Sequence, residues 1–318
     1  MPAARAQAAV RDTRRHAAGE TAAGACFRAL RMTVLVLGAT GMLGQAVFRC
    51  LRQADVPVRG TVRSREALRH LPVQDHALID AGVDVERHDD VIRAFAAVRA
   101  DVVVNCVGVV KQRAGADDPL RTIPINALLP HRLAALCEAS GARLIHISTD
   151  CVFSGRTGNY CEEDTPDAED LYGRSKLLGE VGAHAHAITI RTSIIGRELA
   201  TRHGLLEWFL SQDRPVRGFS RAIFSGLPTD ELARILLAHV LPNPDLHGLY
   251  HVASQPISKH DLLTLVKAAY GRQTEIVNDP TVRIDRSLNP ERFFRATGYV
   301  APAWTALVDQ MRAFGLPS

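Results

Sequence analysis

A turn built on three glycines, Gly38-Ala-Thr-Gly41-Met-Leu-Gly44, follows the aliphatic run 33–37 and opens a helical stretch over 40–53. That junction constrains the fold more than any other part of the chain. Glycines let a backbone turn tightly and approach a pyrophosphate, which rests on the free amides of a helix N-terminus. Alone, the G-x-x-G-x-x-G spacing is a weak signal that a plain strand–helix turn also explains. Its weight comes from the alternating strands and helices downstream.

Residues 33–37, 56–62, 101–106 and 143–148 read as strands, and a weaker third strand should end near Asp84-Val85. Helical stretches fall between them, at 40–53, 64–71 and 89–99, and the segment 119–140 contains another helix. Strands alternating with helices pair in parallel, with crossover helices on both faces of the sheet. The run Val102-Val-Val is apolar without alternation, as a strand buried on both faces requires. The expected class is α/β, a doubly wound parallel sheet. After Asp150 come a polar loop over 155–170, a helix carrying Tyr172, and a strand at 187–192. From Gly196 the elements become irregular, with helices at 205–212, 230–241 and 258–270 and a strand at 248–252. Three segments are expected: an extension at 1–31, a dinucleotide-binding domain at 32–195, and a smaller substrate-binding lobe at 196–318 that is interleaved with the sheet.

The formal charge is +4, and all of it sits in residues 1–31, which hold six arginines against Asp12 and Glu20. A neutral body argues against nucleic acid as a partner. Eleven of those 31 residues are alanine, and Met32 opens the first strand. Three readings stand for 1–31: an upstream start codon wrongly included, a disordered extension, or an Arg-rich targeting peptide. No apolar run approaches the ~20 residues of a membrane span. Six cysteines without a C-x-x-C pair fit a reducing, cytoplasmic setting. His184 and His186 have no further ligand cluster nearby and read as surface loop, so no metal is expected.

Tyr172 and Lys176 stand four residues apart, about one helical turn, so phenol and ammonium share a helix face. A neighbouring positive charge should lower the phenol's pKa from about 10 towards neutrality, where proton exchange is most efficient. An isolated Y-x-x-x-K usually means an exposed pair on a solvated helix. Here it stands downstream of the glycine turn and of Ser148-Thr149-Asp150 at a strand end, so the parts of one reaction run in order.

The end of the second strand bears on the cofactor. Gly60-Thr-Val-Arg63-Ser-Arg65 contains no acid until Glu66. An acid there would accept a ribose 2′-hydroxyl, whereas Arg63, helped by Ser64 or Arg65, suits a 2′-phosphate. NADPH is therefore the expected cofactor, with NADH left open. Asn105-Cys-Val-Gly-Val-Val-Lys111 should pass beneath the ribose and nicotinamide. Gly108 permits close approach there, and Asn105 either braces the loop or caps the strand.

The glycine turn, Ile147-Ser-Thr-Asp-Cys-Val-Phe-Ser-Gly155, Tyr172-Gly-Arg-Ser-Lys176-Leu-Leu-Gly-Glu180 and Arg191-Thr-Ser193 together resemble the extended short-chain dehydrogenase/reductases, and within them the dTDP-4-dehydrorhamnose reductase group. The resemblance runs from Met32 towards the C-terminus and is strongest before Gly196. It implies a Rossmann-type sheet and reduction of the 4-keto group of a nucleotide-linked deoxysugar. It also implies that Thr149 orients the substrate carbonyl, Tyr172 donates the proton, and Lys176 binds the nicotinamide ribose and tunes Tyr172. The cofactor would touch Gly38, Thr40, Gly41, Met42, Leu43 and Gly44 in the first turn, and Arg63 and Ser64 after the second strand. It would touch Asp84 and Val85 after the third strand, Cys106, Val107 and Gly108 after the fourth, and Tyr172, Lys176 and Thr192. Arg191-Thr-Ser193 would lie beside the nicotinamide. Related sugar 4,6-dehydratases follow the catalytic threonine with Asp-Glu; here Asp150 precedes Cys151, which argues against elimination. Cys151 also stands where a tyrosine is usual, and the turn after Asn105 departs from the family's small-residue turn. Rhamnose itself is therefore open, and an acetamido deoxysugar fits as well.

A nucleotide-sugar carries two phosphates and a base, so cations and an aromatic should converge on it. Lys111, Thr149, Asp150 and Arg286 are the expected contacts, with Arg221 and Trp208 as further candidates. Each cation also reads as a solvated charge, and Trp208 as a core aromatic. Thr229 should cap a helix. Two other functions fit the same residues: a non-catalytic NADP-binding subunit that regulates a partner, and a nucleotide-sugar epimerase. No membrane partner is expected, and a homodimer is left open.

Overall fold

The computed structural model describes residues 32–111 and 115–317, so the expectations for 1–31 lie outside the described residues. The first six strands are β1 Val34–Leu37, β2 Val58–Val62, β3 Ile79–Ala81, β4 Val102–Asn105, β5 Arg143–Ile147 and β6 Ala187–Arg191. After them come β7 Ile194–Ile195, β8 Val216–Phe224, β9 Leu227–Pro228, β10 Gly248–His251, β11 Ile257–Ser258 and β12 Ile276–Asp285. Seven strands form one parallel sheet in the order β10-β6-β5-β4-β1-β2-β3.

The reason is visible in β1 and β4, whose residues are all buried. Successive side chains of a strand point to opposite faces. Val34, Val36, Val102 and Val104 pack into one core, while Leu35, Leu37, Val103 and Leu144 pack into the other. Each such side chain contributes on the order of 1.5–3 kcal/mol by leaving water. Both faces are therefore covered, and the sheet is doubly wound. The strand order reverses at β1, which has β2 on one side and β4 on the other. A ligand crevice opens beyond the carboxyl ends of the strands at such a switch point.

Three expectations need correction, and one gains detail. The third strand ends at Ala81, not near Asp84-Val85, because Gly82 turns the chain with φ +88°. The helix expected within 119–140 is Leu129–Ser140, and a short helix Pro119–Ile123 and a π-turn at Pro124–Leu128 precede it. Pro124 has no N–H to continue the helical ladder, and Asn126 turns its amide to other partners. Thr229 is the first residue of the helix Thr229–Ile235, not its cap. Beyond Gly196, β8, β11 and β12 make a second sheet that periodicity did not reveal, because β12 is mostly solvent-exposed and carries Pro280. From the same region β10 returns to pair with β6 at the edge of the central sheet. Among the described residues, no helix is long and apolar enough to cross a membrane.

Candidate active site

The glycine turn has the shape its sequence demands. Gly38 adopts φ +81°, a left-handed conformation that side chains rarely take. A Cβ at Gly44 would run into the Gly38 carbonyl oxygen. The helix Met42–Gln53 therefore starts directly off β1, with no side chain capping its N-terminal amides. The arrangement is a backbone cradle suited to a phosphate group. Across it, Thr61 at the end of β2 accepts from the Gly38 N–H through its hydroxyl at 3.3 Å. Past the buried Val62, Arg63 and Ser64 are exposed. Arg63 makes no hydrogen bond or ion pair with any described side chain.

The helix Leu171–Leu178 brings Tyr172 and Lys176 to the same crevice. Asp170 caps it by accepting from the Gly173 N–H at 2.7 Å. Gly173 has to be glycine, because a Cβ would meet the Cys151 carbonyl oxygen and stand 2.7 Å from Ala168 Cβ. That close approach sets the helix against the turn after β5. Thr149, 6% exposed, lies there, and it lines the same cleft as Tyr172. Its Oγ1 accepts from the Cys151 N–H at 3.1 Å and donates to Asp150 Oδ1 at 3.2 Å. Asn126 fastens the opposite wall: it accepts from the Val109 N–H at 2.8 Å and donates to Val109 O and Ser175 Oγ.

The protonation balance differs from the expectation that Lys176 brings the phenol towards neutrality. Burial pushes the Tyr172 phenol above its ordinary value of 10, and the neighbouring Cys151, Asp150 and Asp170 add to that, opposed by the Thr149 hydroxyl. Lys176 is directed elsewhere: its ammonium nitrogen sits 2.7 Å from Ile147 O. Burial lowers Lys176 to about 8, against Glu180 and Cys106, which favour its charge. Asp150 is also moved up, chiefly by burial and against Arg286. Cys151 is pushed up to about 12 by burial and then by Asp150, so it is a thiol and not a nucleophile.

A cleft of about 510 Å³ unites most of the residues singled out in the sequence. Gly41, Met42 and Leu43 line it from the first turn, and Cys106, Val107, Gly108 and Lys111 from the turn after β4. Thr149, Asp150, Tyr172, Lys176, Thr192 and Arg286 complete the wall. Gly38, Thr40, Gly44, Arg63, Ser64, Asp84 and Val85 do not line it. Gly38 and Gly44 instead shape the turn itself, and Val85 packs with Val107 in the core. Asp84 lies past the end of β3, where its N–H donates to Asp90. Lys111 pairs with Asp170 at 2.6 Å across the mouth, and Arg286 donates to Phe153 O at 2.7 Å.

Arg191 does not reach the cleft. It is 3% exposed and holds Glu180 through two hydrogen bonds of 2.8 Å, leaving Thr192 and Ser193 to face inward. Trp208 lines neither this cleft nor the cavity beside it. That neighbouring cavity, about 660 Å³, shares Ile223 and Ile284 with the cleft and is lined by Arg156, Arg221, Arg283 and Asp285. Sequence reasoning missed Asn126 and His146, because single polar residues inside a helix and a strand carry no motif. All five described cysteines are free.

The family model described as RmlD substrate binding domain matches residues 32–291. Over 114 residues the chain is 39% identical to the dTDP-4-dehydrorhamnose reductase of Mycolicibacterium smegmatis, covering 34% of this chain and 35% of that one. Over 251 residues it is 30% identical to methionine adenosyltransferase 2 subunit beta of Danio rerio, covering 74% of this chain and 73% of that one. The chain spans less than half the length of the first curated relatives it matches. A crystal structure of dTDP-4-dehydrorhamnose reductase from Bacillus anthracis in complex with NADP superposes with a TM-score of 0.73 at 20% identity, covering 89% of this chain and 99% of that one. The parallel sheet, the glycine turn and the Tyr172–Lys176 helix thus meet in a chain that belongs to the RmlD substrate binding domain family of extended short-chain dehydrogenase/reductases.

Proposed function

We propose that this chain is an NADPH-dependent reductase of the 4-keto group of a nucleotide-linked deoxysugar. The observation that carries the reading is that Thr149, Tyr172 and Lys176 line one cleft with Gly41, Met42 and Leu43 of the glycine turn. The 39% identity to a protein named dTDP-4-dehydrorhamnose reductase supports it.

The residues fit a dinucleotide. Gly38 and Gly44 leave the space beside the amides of the first helix that a pyrophosphate needs. Arg63, exposed at the end of β2 with no acid beside it, suits a 2′-phosphate. NADPH, when bound, supplies the hydride. Thr149 Oγ1 then orients the substrate carbonyl oxygen, and Tyr172 Oη holds the proton which that oxygen receives. A phenol whose pKa is raised keeps its proton at neutral pH, as an acid needs to before it is used. Cys151, a thiol where a dehydratase carries glutamate, leaves elimination without its second acid–base group.

Arg286 at the cleft wall, and Arg221 and Arg283 beyond Ile223 and Ile284, suit the diphosphate of such a substrate. We place the reaction in the cytoplasm, where five free described cysteines remain reduced. The test is NADPH oxidation with a panel of 4-keto nucleotide-sugars, and turnover of at least one is expected.

A second reading has its own observation. The relative matched over 74% of this chain is named as a subunit of methionine adenosyltransferase 2. A regulatory subunit would bind NADPH yet oxidise it with none of the sugars, and would change the activity of a partner enzyme.

A further inference from the structure

Behind the cleft, Val107, Asn105, His146 and Lys176 form a chain of contacts whose hydrogen-bond directions are fixed from one end. The backbone N–H of Val107 can only donate, and it donates to Asn105 Oδ1 at 3.1 Å. The other amide atom, Asn105 Nδ2, therefore faces His146 Nδ1 as a donor at 3.2 Å. Asn105 and His146 are register partners on β4 and β5, and they are 1% and 0% exposed, so neither side chain has room to turn over. His146 Nδ1 is then the unprotonated ring nitrogen. A neutral imidazole carries its one proton on the other nitrogen. Neutrality follows from burial and then from the charge of Lys176, which together hold His146 well below its ordinary 6.5.

His146 Nε2 lies 3.5 Å from Lys176 Nζ. An ammonium has three donors and no acceptor, so it opposes an N–H aimed at it, whereas an amine offers a lone pair. Ile147 O, 2.7 Å from the same nitrogen, accepts from either form. We infer that His146 is a positioning residue for Lys176: locked by Asn105 with its proton on Nε2, it offers Lys176 a donor and so favours the amine over the ammonium.

The lowering of Lys176 from 10.5 to about 8 agrees in direction. The other groups acting on this pair are Glu180 and Cys106 on Lys176, and His131 on His146. Glu180 is itself held by Arg191 and Ser148. The inference rests on the proposed role of Lys176 beside Tyr172, but its chemistry can be read without turnover.

The first measurement is ¹⁵N NMR of the imidazoles in the full chain stripped of dinucleotide, with His146→Gln used to assign the signal. The Nε2–H tautomer is expected, unchanged across neutral pH. An Nδ1–H tautomer, or an imidazolium that titrates near the ordinary histidine value, overturns the inference. The second follows the titration of Lys176 through its ¹³Cε shift. In His146→Leu, which removes the donor, the Lys176 pKa should rise by about one unit, a tenfold gain in proton affinity. In His146→Gln, whose amide can still donate to Lys176, it should stay near the wild-type value. The same titration in all three proteins overturns the inference. If His146→Leu does not fold, the wild-type tautomer decides alone. Failure of every sugar to turn over would count against the reductase reading while leaving both NMR results intact.

Discussion

Arg191 grips Glu180 with two hydrogen bonds of 2.8 Å, and the pair ties the end of β6 to the end of the Tyr172–Lys176 helix. Ser148, at the end of β5, adds a third bond to Glu180 at 2.7 Å. Three segments that carry cleft residues are thus knotted beneath the site. Arg191 is 3% exposed and its partner 11%, so removing one member leaves an uncompensated charge in a poorly solvated place. Glu180→Ala should cost about 3–5 kcal/mol, measured by urea unfolding. The double replacement Glu180→Leu with Arg191→Met should recover part of that loss. Additive losses would show that the pair is not coupled.

Arg63 discriminates between cofactors under the proposed reading. Losing a charge-assisted contact to a 2′-phosphate removes about 1.5–3 kcal/mol. Arg63→Ala should therefore weaken NADPH binding roughly 10- to 100-fold and leave NADH nearly unchanged, both read by fluorescence titration. Equal losses for the two would remove the assignment.

Gly44 tests the cradle. Gly44→Ala puts a methyl carbon 2.1 Å from the Gly38 carbonyl oxygen, a backbone atom that no side-chain rotation can move aside. Overpacking of this kind costs about 1–3 kcal/mol, and dinucleotide affinity should fall with it. A thermal-shift titration reads both effects at once.

The fold was legible where burial dictates sequence. β1 and β4 are buried throughout, so they appear as unbroken aliphatic runs, and the glycine turn between β1 and its helix is required sterically. The Tyr172–Lys176 helix was legible for the same reason, since Asp170 and Gly173 have local work to do. β12 was not, because an exposed strand interrupted by Pro280 carries no alternation to read. Nor was the direction in which Lys176 points. Its spacing from Tyr172 suggested a charge tuning a phenol, but burial and Ile147 O, supplied by a strand 29 residues away, decide the outcome. His146 and Asn126 act through partners set by register and by a π-turn, which no local pattern announces.

Lys176 also makes stability depend on pH. Its pKa in the folded chain, about 8, lies below the ordinary 10.5, so the unfolded chain holds the proton more tightly. Below the folded value both states are protonated and the folded state bears the full cost of a buried charge, roughly 3 kcal/mol at 1.36 kcal/mol per unit. As pH rises from 8 towards 10.5 the native amine sheds its proton first and that cost fades. Lys176→Met should accordingly be more stable than wild type at neutral pH by about 1–3 kcal/mol, and the gap should close on raising the pH. A gap that stays constant would show that the charge is not buried at a cost.

The most direct test of the account is the turnover of Tyr172→Phe, which deletes one oxygen from the cleft. With a 4-keto nucleotide-sugar that the wild type reduces, kcat should fall about 10²–10⁴-fold, as the loss of a proton donor implies, while NADPH binds almost as before. Turnover of Tyr172→Phe at the wild-type rate would contradict the assignment of the phenol as the proton donor.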